Sequence, residues 1–316
     1  MQRNAAVARL VTLVLIPSCF LGTGWVTITA TRSAAETRPE KAVTIARRRV
    51  RATAAPSPAS RKTPTKVTPT PAASQAQQAL TAAVAPIARD DGVQVAVAVD
   101  DLTTGADAAY SGTQEFVTAS IVKVDILSTL LYQAQQSGQQ LPPEEQALAT
   151  TMIENSDDDA ASDLYDDADG AAGIDQANQV FGLSETTVGT AGFWGLTSTT
   201  VDDQIRLLRL VFMSPSVLPT QSQDYIQDLM SQVEADQQWG VPAAADDGTP
   251  FMVKNGWLPS GTTGLWEINS IGEVVHDGQR MLIAVLSEGN ATEYSGIYLV
   301  QTVADAAAGA MATSNG

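Results

Sequence analysis

Ser120-Ile121-Val122-Lys123 sets a hydroxyl and an amine three residues apart. On a helix that spacing puts both on one side. A serine in the first turn sits at the positive end of the helix dipole, which stabilises a developing alkoxide. A neutral lysine beside it can take the serine proton once burial or a neighbouring cation lowers its pKa. The chemistry in this pair is nucleophilic acyl transfer. Alone, the same four residues also fit a capping serine followed by a surface lysine. Two other constellations bear on the choice. Ser156-Asp157-Asp158 lies in a polar stretch that alone would be a helix cap. Lys254-Asn255-Gly256-Trp257 follows the apolar Phe251-Met252-Val253. Its glycine admits close approach of backbone or ligand, though a lysine there also suits a sheet edge. Lys123 and Lys254 are the only lysines in residues 76–316, and both fall in these motifs.

The order Ser-x-x-Lys, Ser-Asp-x, Lys-x-Gly resembles the class A β-lactamase-like serine hydrolases, across roughly residues 76–316. The helix start at Thr199-Thr200-x-x-Asp203 and the strand Trp266-x-Ile268-Asn269-Ser270 add to the likeness. The resemblance implies that Ser120 is the acylated nucleophile and Lys123 its activator. Ser156 would pass a proton to the departing nitrogen. Lys254, with Asn255 and Gly256 beside it, would hold the substrate carboxylate. The Ser120 N–H and a second donor near Thr262–Gly264 would form an oxyanion hole. The expected ligand is a small β-lactam or a cell-wall peptide, with no metal and no cofactor.

The departures are specific. The family has Asn where this chain has Asp158, and an ionised carboxylate repels a substrate carbonyl. Asn255 replaces the family's Thr or Ser but can still donate a hydrogen bond. The gap from Ser120 to Ser156 is short, so a reduced helical lobe is expected. Residues 183–196 contain no Glu-x-x-Leu-Asn, and Glu185 is their only acid. Deacylation is therefore expected to be slow, with Glu185 the one candidate base. A penicillin-binding or D-Ala-D-Ala peptidase activity would use the same acylation residues. A non-catalytic wall-binding domain is the alternative from another class.

The elements that must position these residues can be read from periodicity. Ala76–Arg89 is helical in pattern, and Val93–Asp100 alternates as a strand with a return at Ala108–Ser111. Helices are expected from Ser120, from Pro142, at Ala160–Asp166, at Ile174–Phe181 and from Thr199. Strands follow at Phe251–Lys254, Gly264–Ser270, Gly272–Val275 and Met281–Leu286, then a last helix over Tyr294–Met311. Strands from both ends around a helical block predict an α+β body, with an antiparallel five-stranded sheet flanked by helices and an inserted, shortened all-helical lobe.

Charge divides the chain further. Residues 1–75 hold 12 of the 18 Lys+Arg and two of the 35 Asp+Glu, giving +10 there and −27 in the remainder. The acidic body excludes nucleic acid as a partner. Residues 10–30 form an uncharged apolar run after Arg3 and Arg9, the pattern of an export signal or membrane anchor, with Cys19 a poor lipidation site. Residues 31–75 read as a disordered basic Ala/Thr/Pro-rich linker that could touch membrane or wall polymer. An extracytoplasmic monomer is expected. The single Cys forbids an internal disulfide, and the single His, His276, leaves no zinc site built on several histidines. His276 reads as an exposed turn residue. Trp194, Trp239, Trp257 and Trp266 are candidates for cleft lining or core.

Overall fold

A computed structural model describes residues 71–89 and 92–314. The readings placed on residues 1–30 and on most of 31–75 lie outside the described residues. The expected linker boundary moves. Helix α1 spans Pro71–Val84, so residues 71–75, expected to be linker, are helical. A proline in a helix's first turn sacrifices no hydrogen bond, so Pro71 can open the helix rather than end it.

Strands β1 (Gln94–Asp101) and β2 (Asp107–Tyr110) form a hairpin, followed by the short β3 (Phe116–Val117). A block of helices comes next: α2 (Val122–Gln136), α3 (Pro143–Glu154), α4 (Asp158–Asp167) and α5 (Gly170–Phe181). The two-residue β4 (Ser198–Thr199) pairs with β3, and α6 (Val201–Phe212) and α7 (Thr220–Ser231) complete the block. The chain returns through β5 (Met252–Pro259), β6 (Trp266–His276) and β7 (Gln279–Asn290), and ends in α8 (Glu293–Thr313). The five long strands form one antiparallel sheet in the order β2-β1-β7-β6-β5. This is the α+β architecture the element order predicts.

Alternation along the strands divides two cores. Val95, Val97 and Val99 of β1 pack with Ile283 and Val285 of β7 under α1 and α8. Ala96 and Ala98 point the other way, with Leu282, Ala284 and Leu286, toward the helical block. Small alanines on that face let the lobe's larger side chains reach the sheet. α8 is fixed by a capping box, in which Thr292 and Ser295 satisfy each other's backbone N–H.

One strand differs from its reading. Gly264–Ser270 and Gly272–Val275 are not two strands but parts of the continuous β6. Gly272 is a close approach rather than a break: a Cβ there would lie 2.1 Å from the Met252 carbonyl oxygen of β5.

Candidate active site

The turn carrying Ser120 is held from three sides. The Thr118 N–H bonds Thr197 O at 2.8 Å. The Asn269 carboxamide of β6 donates to the carbonyls of Val117 and Thr118 at 2.9 and 3.0 Å, while its own oxygen accepts from the Ser287 N–H. Gly256 of β5 backs directly onto the turn. A Cβ at that position would lie 2.6 Å from Thr118 O and 2.8 Å from Ser120 N. The result is a strained turn: Ala119 has φ +47°, an unfavourable conformation for a residue with a Cβ. Ser120 follows at the 3₁₀ entry to α2, and Lys123 one turn on has no exposed surface.

Ser156 joins α3 to α4 and is likewise left-handed, at φ +57°. Asp157 caps α4 by accepting the Ala160 N–H at 2.7 Å. These constraints aim the Ser156 hydroxyl at both lysines. Lys123 Nζ donates to Ser156 Oγ at 3.2 Å and to Ser156 O at 2.6 Å, and Lys254 Nζ donates to Ser156 Oγ at 2.9 Å. The third partner of Lys123 is Asp158, at 2.6 Å. None of the three bonds goes to Ser120. The Trp194 ring lies 4.9 Å from the Lys123 ammonium.

Burial governs the protonation of the pair. Lys254 is held well below the ordinary lysine range, first by desolvation and then by the nearby Lys123 charge. Lys123 is also lowered by desolvation, against which Asp158 and Asp157 pull upward. Two buried amines around one hydroxyl can accept, relay and return a proton.

The structure joins Lys123, Ser156 and Lys254 by direct hydrogen bonds, with Ser120 three residues before Lys123 and Gly256 against the Ser120 backbone. Asp158 joins them, but through Lys123 rather than through a substrate carbonyl. Asn255 has a different occupation from the one expected. Its side chain is fully buried, and its nitrogen donates to Gln237 O at 2.6 Å and Trp239 O at 3.0 Å. The carboxamide thus anchors the segment before β5 instead of offering a donor to the cleft. Glu185 also sits elsewhere. Its carboxylate accepts from Thr200 Oγ1 at 3.3 Å and its N–H bonds Asp203 Oδ2 at 2.7 Å. Thr262–Gly264, named for the second oxyanion donor, form the turn beyond the end of β5. The backbone beside Ser120 is that of Gly256. His276 bonds Ala244 O through Nδ1 at 2.7 Å, beside the Asp277-Gly278 turn. Trp239 and Trp257 pack edge to face, 5.9 Å apart, against the α8-side core.

Asn269, read from sequence only as part of a strand, and Trp194, read as cleft lining or core, both act on this site. Asn269 was visible as a polar residue inside an apolar strand, a pattern that signals a buried hydrogen-bonding task. Nothing in the local sequence pairs Trp194 with Lys123.

Comparisons with known proteins bear on the family and the fold. The model of the beta-lactamase enzyme family matches residues 75–145 and 139–311. This chain belongs to that family. The protein named "Putative lipoprotein LppW" of Mycobacterium bovis is 30% identical over 176 residues, which cover 53% of this chain and 55% of that protein. The chain thus spans about half the length of the curated relatives it matches. Among solved structures, PBP-A superposes with a TM-score of 0.65 at 20% identity, covering 75% of this chain and 96% of that one. The TLA-1 extended spectrum β-lactamase gives 0.67 at 15% identity, covering 75% and 99%. A class A β-lactamase from Bacteroides cellulosilyticus DSM 14838 gives 0.65 at 16%, with the same coverage. At these identities the likeness is one of fold.

Proposed function

We propose that the chain is an exported serine hydrolase that acylates Ser120 with β-lactam or related cell-wall amide substrates and releases the acyl group slowly. The observation that carries this reading is the Ser156 hydroxyl shared by two buried lysines beside the strained Ser120 turn. In its free-base form Lys123 takes the Ser120 proton as Oγ bonds to the carbonyl carbon. The carbon–nitrogen bond then breaks, and the departing nitrogen takes its proton from Ser156, which is reprotonated by a lysine ammonium. The Ser120 N–H, next to Gly256, supports the oxyanion.

Slow release is supported by the engagement of Glu185, the one acid of residues 183–196. Glu185 is engaged with Thr200, and the indole of Trp194 packs against the ammonium. Neither arrangement positions a carboxylate to activate water at the ester. The same feature favours, as a second reading, a penicillin-binding or D-Ala-D-Ala peptidase activity, for which a long-lived β-lactam adduct is an inhibited state. Export is supported by the lipoprotein in the name of the mycobacterial relative.

Intact-protein mass spectrometry with benzylpenicillin tests the reading. A mass increase equal to the drug, absent in Ser120→Ala and persisting for many minutes after drug removal, is expected. Rapid steady-state turnover without a detectable adduct would overturn slow release. No adduct at any drug concentration would leave a wall-binding domain as the better reading.

A further inference from the structure

The buried amines of the candidate site lie beside exposed carboxylates. Lys123 and Lys254 have no exposed surface, whereas the Asp158 side chain is 75% exposed. Asp157 and Asp159, which flank it, are exposed as well. An approaching substrate therefore meets carboxylates before it meets any ammonium. Asp158 Oδ1 lies on Lys123, and Oδ2 accepts no hydrogen bond among the described residues.

The groups facing the Lys123 ammonium are few. Asp157 and Asp158 approach from the start of α4, Lys254 from β5, and the Trp194 ring from the segment before β4. Asp157 is already engaged in capping α4. Among these, Asp158 alone opposes proton loss by direct ionic contact. Removing one partner of such a pair leaves a buried charge uncompensated, and the response open to a buried lysine is to deprotonate.

We propose that Asp158 gates Lys123, and that the gate is opened by substrates bearing an ammonium group on the acyl side of the scissile amide. This rests on the serine-hydrolase reading above and names its substrate class. The incoming ammonium pairs with Asp158 in place of Lys123. Lys123, still buried beside Lys254, then gives its proton to solvent and becomes the amine that accepts the Ser120 proton. A substrate lacking the cation must separate Lys123 from Asp158 with nothing to replace it. In a peptide, the cation would be a free amine close to the acyl carbonyl.

Ampicillin and benzylpenicillin differ by one such amine and isolate its effect. The experiment follows Ser120 acylation by intact mass in the full chain and in Asp158→Asn, at mildly acidic pH where the ampicillin amine is charged. Asp158 is exposed, so the variant should fold. The wild-type chain is expected to react with ampicillin about tenfold faster than with benzylpenicillin. In Asp158→Asn, benzylpenicillin should react faster than with wild type and the preference should vanish. Equal wild-type rates, or a preference unchanged in the variant, would overturn the proposal. Carbon-13 lysine NMR adds a readout that needs no acylation: Lys123 should titrate at lower pH in Asp158→Asn, and an unchanged titration would overturn the gate. A lowered titration with no Ser120 adduct from either drug would instead sink the hydrolase reading, and the substrate class with it.

Discussion

Lys123 and Lys254 share a hydroxyl but should not share a phenotype. In the proposed mechanism Lys123 takes the Ser120 proton, so Lys123→Ala should slow acylation by about 10²–10⁴-fold, the usual range for a general base. Lys254→Ala should act mainly through substrate binding and the Ser156 relay, so a larger share of its loss should appear in the concentration dependence. Stopped-flow or quenched mass measurements over a range of drug concentration would separate the two. Burial lowers both amines, so the acylation rate should climb with pH along a limb whose midpoint lies below the ordinary lysine value of 10.5. In the proposed mechanism the free amine is the active form of Lys123, so activity is lost as pH falls through its pKa. Glu185→Gln should leave the adduct lifetime unchanged, because the Glu185 carboxylate serves Thr200. A markedly longer lifetime in that variant would show that Glu185 acts on the ester after all.

At the scale of elements, the site depends on how closely β5 and β6 approach the turn before α2. Gly256→Ala would drive a Cβ into the backbone at Thr118 and Ser120. It should therefore remove most acylation, while the thermal transition, held by two cores on either side of the sheet, moves only modestly. Acylation at the wild-type rate in Gly256→Ala would show that the approach is not what positions Ser120. Further along α2, Asp125 is buried and accepts a hydrogen bond from Asn178 of α5 at 2.9 Å. Burial, with Asp175 and Asp203 nearby, raises its pKa from 3.8 to about 7. The fold favours the protonated form, so this contribution is complete below 3.8 and is lost as pH rises through about 7. Asp125→Asn should thus raise the melting temperature at about pH 8 and change it little at about pH 4, as calorimetry at the two values would show. The sequence made the frame legible because alternation in Val93–Asp100 and the capping pattern at Thr199-Thr200 are local signals. It split β6 at Gly272 because a glycine required by a neighbouring strand looks, along the chain, like a turn. The three motifs were legible as residue types at fixed spacings. The Asp158–Lys123 pair and the capture of Asn255 by Gln237 and Trp239 were not, since partners 35 and 16 to 18 residues away meet only after folding.

For the whole molecule, the question is whether the field of an acidic body reaches a reaction centre built on two cations. Residues 76–316 carry six basic side chains against 33 acidic ones. Arg206, Arg209 and Arg280 are each paired with a carboxylate, Asp203, Asp100 and Glu273 respectively. The two lysines show no surface to solvent, and the exposed side chain beside them is Asp158. At distances beyond a few ångströms, a drug anion therefore senses net negative charge, and its encounter with the cleft is slowed by repulsion. Salt screens exposed charges over roughly 8–10 Å at physiological strength and leaves short buried contacts nearly untouched. The bimolecular acylation rate with benzylpenicillin, an anion, should therefore rise as salt increases from low ionic strength, while the limiting rate at saturating drug stays flat. Ampicillin, carrying an additional positive charge, should show the weaker salt dependence. A benzylpenicillin rate that falls with salt would mean that the buried lysines project a net attractive field through the mouth of the cleft, and that the carboxylates at its rim are too well paired or too distant to oppose it.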